Sequence, residues 1–193
     1  MGHTLIKKSK VLATITVAAV LLGLLPAHAF AAPAAARPIV PAPVSVAKNP
    51  NFLDGIVTAG TQNAHLGSWY ITANTKNLTV KSLMIRLNSY VTSPQNRSPN
   101  ARYFSNIHLT VDGQAYGITY GTFIGKQYFV QDIALTANQT MLVDLYADIS
   151  SAYTPSPDTV FFDLMASGVN TASRKKFSSA IVAGQSTTVT ASG

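Results

Sequence analysis

Cysteine is absent from the 193 residues, which excludes disulfides, thiolate catalysis and thiolate metal sites. Stability must then come from an apolar core, and at 47% hydrophobic residues the chain has the material for one. Glutamate is absent as well, so every carboxylate side chain is one of seven aspartates. Charged residues make up only 11% of the chain, and threonine, serine, asparagine and tyrosine carry the polar surface instead. That usage suits sheets and turns, because glutamate favours helices while threonine and tyrosine favour strands. No stretch shows a helical apolar period.

Long apolar runs are missing too. The longest, Val11 to Leu25, has 15 residues, short of the roughly 20 needed to cross the hydrocarbon layer. It follows a basic segment and precedes Ala27-His28-Ala29, an Ala-x-Ala cleavage pattern, so residues 1–29 read as a secretory signal peptide. Three of the basic residues, Lys7, Lys8 and Lys10, fall in it. The remainder carries 11 basic against 7 acidic residues, so the formal +7 overstates the basicity of the exported protein. The one basic cluster there, Arg174-Lys175-Lys176, has no aromatic platform beside it and reads as a solvated loop rather than a nucleic-acid contact.

Residues 30–50 form a Pro/Ala-rich linker, with prolines at 33, 38, 41, 43 and 50 that oppose helix and central strand. Its apolar part, Ile39 to Val46, is able to pair briefly at a sheet edge, with its own domain or a neighbour's. The expected state is a monomer in dilute solution with a latent tendency to assemble through this arm.

What remains, 51–193, is a series of strand signals separated by turns. The clearest is Tyr103 to Tyr120. Ile107, Leu109 and Val111 alternate with His108, Thr110 and Asp112, and Asp112-Gly113 is the dipeptide of a two-residue hairpin. Gln114 to Tyr120 reads as the returning strand, and this hairpin as the centre of the domain. In Leu78 to Asn88 the apolar residues change phase between Val80 and Leu83, which predicts a bulge near Lys81-Ser82. Eight or nine short strands argue for an all-β fold, a two-sheet antiparallel β-sandwich.

Four stretches carry a resemblance: Gly-Thr-Gln-Asn-Ala-His-Leu-Gly-Ser-Trp-Tyr-Ile-Thr-Ala from Gly60, Leu-Thr-Val-Lys-Ser-Leu-Met-Ile-Arg-Leu from Leu78, Ser-Asn-Ile-His-Leu-Thr-Val-Asp-Gly from Ser105, and Leu-Tyr-Ala-Asp-Ile-Ser from Leu145. Over residues 44–193 the chain resembles an uncharacterised Ig-like β-sandwich module of secreted and cell-surface proteins from uncultivated bacteria. The resemblance implies a fold and says almost nothing of chemistry.

Candidate chemistry is sparse. After the leader only His65 and His108 remain, with no Gly-x-Ser-x-Gly elbow. Asp144 and Asp148 share a strand face at about 13 Å, too far for a retaining glycosidase pair, and read as solvent-facing. Calcium is the metal best suited to the hard oxygens of Asp148, Asp158 and Asp163, which flank one loop, although no calcium-loop motif is present. Trp69 shares parity with Ile71 and Ala73 and reads as core, with Trp69 and Tyr70 as the alternative platform for a glycan. The expectation is therefore a non-catalytic secreted or cell-surface module with a structural, adhesive or assembly role, no required cofactor, and other surface proteins, itself or a glycan as partner. A carbohydrate-binding module is the competing expectation.

Overall fold

The computed structural model describes residues 42–89, 101–119, 123–154 and 158–191. The expected leader, the linker up to residue 41 and most of the polar loop after Ser89 lie outside them. The strands are β1 (Val44–Lys48), β2 (Gly55–Thr58), β3 (Ala64–Ala73), β4 (Leu78–Ser89), β5 (Phe104–Val111), β6 (Gln114–Tyr116), β7 (Ile118–Thr119), β8 (Lys126–Leu135), β9 (Thr140–Ile149), β10 (Asp158–Asn170), β11 (Lys176–Ser178) and β12 (Val182–Thr190). One sheet runs β1-β3-β9-β5-β6 and the other β2-β12-β10-β4-β8-β7, with β11 added against the far half of β10. This is a two-sheet β-sandwich. The described pairs are antiparallel except β2 with β12, which is parallel.

The core follows the period of two. Leu66, Trp69, Ile71 and Ala73 of β3 are buried, as are Met141, Val143, Leu145, Ala147 and Ile149 of β9, and Val160, Phe162, Leu164 and Ala166 of β10. Trp69 is fully buried. Its six-membered ring lies against the backbone of Gly67, where a Cβ would stand 2.3 Å from Cη2, and of Gly184 in β12, where a Cβ would stand 2.5 Å from Cζ2. The two glycines make the slot the indole fills.

The phase change in β4 is a bulge. Val80 and Ser82 pair with the adjacent Gly168 and Ser167 of β10, so Lys81 is the extra residue against that strand; against β8 they pair with Ile133 and Val130, where the extra residue lies in β8. The insertion lets Leu78, Val80, Leu83, Ile85 and Leu87 all face the core.

Two expectations need correction. Asp112 and Gly113 do form the two-residue turn, with φ of 49° and 79° and Val111 paired to Gln114. The hairpin, however, sits at the edge of its sheet, since β6 is the last strand. Nor is the returning strand continuous. It breaks at Gly117 (φ 80°), and the chain passes from β6 in one sheet to β7 in the other. The positive φ strains any other residue there, and a Cβ would also crowd Phe129, coming within 3.1 Å of its Cβ.

Val44–Lys48, inside the stretch expected as linker, runs as β1 and pairs with β3 from Val44↔Ala73 to Lys48↔Trp69. Four residues of β2 then close the other sheet beside β12. The N-terminal strands thus flank both sheets on one side.

Candidate functional site

The polar side chains converge where the β1–β2 connection crosses β3. Ser68 Oγ donates to Asp144 Oδ1 at 2.6 Å, and Asn49 Nδ2 donates to Ser68 Oγ at 3.0 Å. His65 Nε2 lies 3.1 Å from the same carboxylate oxygen. Gln185 of β12, with no exposed surface, accepts from Ser68 N (3.0 Å) and donates to the carbonyls of Asn49 (2.9 Å) and Ser68 (3.3 Å). One buried network therefore bolts the N-terminal segment to β3, β9 and β12. Asp144 is correspondingly buried, contrary to the solvent-facing placement expected for it. The reason is that the segment after β1 folds over the outer face of β3, where Asn49 bonds Ser68 and the ring of Phe52 lies 4.0 Å from that of His65.

Serine, histidine and aspartate meet here in an order unlike that of a nucleophile and its base. A nucleophilic serine gives its proton to the histidine, which the carboxylate orients. Here the carboxylate lies between the two, and Ser68 is 1% exposed. The arrangement can tie strands together; it does not present an activated hydroxyl.

The rings above it form a row. His65 stacks on Tyr146 at 4.6 Å, and Tyr146 on His108 at 5.5 Å, across β3, β9 and β5. Burial, and then the charge of Asp144, hold the Tyr146 phenol above its ordinary pKa. Because the rings face one another, the row offers few ring faces on which a sugar could lie.

The aspartates considered for calcium are distributed over both sheets. Asp148 in β9 accepts from Asn63 N at 2.7 Å. Asp163 in β10 accepts from Arg86 Nε at 2.9 Å, with further close contacts from Arg86 Nη2 and Asn88 Nδ2. Asp158 opens β10. Among the described residues no three His or Asp side chains are grouped to hold a metal ion. Of the proposed glycan platform, Trp69 lies in the core and Tyr70 is half-buried on the opposite face of β3.

Asn49, Arg86, Asn88 and Gln185 were not singled out from the sequence. A signal existed for Gln185: it shares strand parity with Thr187 and Val189, both buried. A polar residue on an inward position needs partners.

The sheet edges are the remaining feature. Leu53 and Ile56, before and within edge strand β2, are each 75% exposed. Ile124, Tyr128 and Val130 project near the opposite edge. No helix among the described residues is long and apolar enough to cross a membrane.

No family model matches the chain, and no curated protein does. Solved structures do. Over 78% of this chain and 89% of the other, it is similar to AvmM, which catalyses macrocyclization in alchivemycin A biosynthesis, with TM-score 0.41 and 8% identity. It is similar to the CssB subunit of enterotoxigenic Escherichia coli colonization factor CS6, complemented with a donor strand from CssA, with TM-score 0.37, 13% identity, and coverage of 77% and 97%. It is also similar to BcpA, the major pilin subunit of Bacillus cereus, with TM-score 0.35, 11% identity, and coverage of 77% and 40%.

Proposed function

We propose that this chain is a non-catalytic module, secreted or displayed at the cell surface, with a structural, adhesive or assembly role. The observation that carries the reading is the open edge at β2. Its outer side has no partner strand among the described residues, and Leu53 and Ile56 stand in solvent beside it. An apolar, unpaired edge is a template for another strand unless charge or proline guards it. Among the described residues the guard is one ion pair, Lys48 with Asp54 at 3.2 Å. The leader pattern of residues 1–29 supports export. The Ser68–Asp144–His65 geometry supports a scaffold in preference to an enzyme.

The occupant of the edge is another copy or another surface protein. The N-terminal arm is a poor candidate from residue 44 onward, because β1 is already paired with β3 and Asn49 is held by Gln185. Light scattering of the purified protein over a concentration series is the test. The mass should rise with concentration, and Ile56→Lys should hold it at the monomer. A wild-type mass that stays monomeric up to the solubility limit, with electron microscopy showing no filaments, overturns self-assembly; a rise that Ile56→Lys leaves untouched moves it to another surface.

A further inference from the structure

We propose that the cleft between β11 and the bulge of β4 binds the anionic groups, carboxylate or sulfate, of an acidic polysaccharide. The cleft has a volume of about 460 Å³ and is lined by Lys81, Ser167, Gly168, Lys176, Phe177 and Ser178, among others. That volume lies within the roughly 300–1,000 Å³ range of small-ligand sites.

Its shape follows from the backbone. β12 pairs with β10 only as far as Leu164, and β11 takes over from Ser167 to Val169. The bulge at Lys81 brings Thr79 so close that a Cβ on Gly168 would stand 2.0 Å from its carbonyl oxygen. Phe177 folds over Gly168 from the other side. The turn joining β10 to β11 is fixed by Asn170, whose side-chain oxygen accepts from Ser173 N and Ser173 Oγ, and whose carbonyl accepts from Arg174 N. Thr171 N donates to Asn77 O, docking this turn on the one that carries Lys76.

Cationic side chains gather as a result. Lys76, Lys81, Arg174, Lys175 and Lys176 lie on the cleft or in the two turns beside it. Asp132, 2.8 Å from Lys81, is the one carboxylate paired with any of them among the described residues. In a chain this poor in charge, the concentration is local. The lining adds the hydroxyls of Ser167 and Ser178, Ser167 Oγ also sharing a hydrogen bond of 2.8 Å with Ser82 Oγ behind it. Phe177 is only 8% exposed, so no ring face is offered to a nucleobase. Ammonium groups beside hydroxyls suit a hydroxyl-rich chain bearing carboxylate or sulfate.

This inference takes from the surface-module reading only that such polymers are within reach. Calorimetric titration with polygalacturonate and with dextran sulfate tests it at about 0.15 M salt, where the Debye length of about 8 Å suppresses diffuse attraction. At least one polymer should bind, neutral dextran should not, and the preferred one identifies the anionic group. The pair Lys81→Gln and Lys176→Gln should weaken binding about tenfold or more, since two charged hydrogen bonds are lost. The pair Arg102→Gln and Lys126→Gln, equal in charge but distant, should change it less than about threefold on the same scale. Equal losses in both pairs, tighter binding to duplex DNA or anionic vesicles, or no binding to either polymer overturns the site. Unchanged thermal unfolding of both pairs confirms that folding is intact. A protein that assembles but fails to bind sinks this site alone; one that binds but never assembles sinks the assembly reading alone.

Discussion

Replacing Gly67 with alanine asks whether the slot around Trp69 is as tight as its geometry says. The new Cβ would lie 2.3, 2.8 and 3.1 Å from three atoms of the six-membered ring, all of them Trp69 atoms. Ordinary carbon contacts need about 3.5–4.0 Å, so the ring must move by roughly an ångström. It has nowhere to go, because Gly184 closes in on the same ring. Overpacking of this kind costs about 1–3 kcal/mol. Opposing it, alanine restricts the unfolded chain and stabilises by about 0.4–1 kcal/mol where the backbone tolerates it. The net expectation is a loss of about 0–2.6 kcal/mol, which at about 2–4 °C per kcal/mol is a fall in Tm of up to about 10 °C for a chain of this size. The sign should invert once the outer ring is removed. In a Trp69→Phe background, itself less stable by about 1–3 kcal/mol from the space it leaves, Gly67→Ala should be neutral or raise Tm by roughly 1–3 °C. Urea unfolding of all four proteins, read as midpoints at constant m, gives a coupling energy of about 1–3 kcal/mol. If Gly67→Ala costs the same in both backgrounds, the ring is not what it strikes and the reasoning fails.

Two further outcomes concern buried polar groups. Gln185→Leu leaves Ser68 N–H without its acceptor and should cost about 1–3 kcal/mol in chemical denaturation; an unchanged midpoint would mean the network does not hold the N-terminal segment. Tyr116, buried with its hydroxyl donating to Gln131 O at 2.8 Å, has its phenol pKa pushed up to about 12 from 10, chiefly by burial. A raised folded-state pKa stabilises fully below the unfolded value, so stability should decline from pH 10 to about 12 as the unfolded chain releases the proton first. Tyr116→Phe should flatten that part of the pH–stability curve, and an identical slope in the variant would contradict the assignment.

Much of the fold was legible because strand parity is a strict rule. The displaced parity of Leu83, Ile85 and Leu87 against Leu78 and Val80 was enough to locate the bulge to within a residue. Asp112-Gly113 announced its turn because few dipeptides tolerate left-handed conformations at both positions. The passage between sheets at Gly117 was hidden, since Gln114 to Tyr120 has the composition of one continuous strand and a single glycine does not say how far the chain will bend. Asp144 was misplaced for a different reason. Parity tells which face of a strand a residue occupies, and Asp144 does lie on the outer face with Tyr146. It cannot tell that a segment 90 or so positions earlier, at Phe52, will fold across that face. The basic cleft was invisible for the same reason, because Lys81 and Lys176 come together only through the pairing of β10 with both β4 and β11.

The flanking of both sheets by the first described strands fixes an order of events for the newly made chain. Asp54 accepts from Ser186 N across 132 positions, and Asn49 O from Gln185 Nε2 across 136. β1 can find β3 as soon as β3 is synthesised, but β2 has no partner until the last strand emerges. The pairing of β2 therefore waits for β12 to be made, and it closes a loop of more than a hundred residues, which favours late formation. Until then the edge of β12 is not yet made and Ile56 has nothing beside it. No early intermediate can complete the sandwich while β12 is still missing.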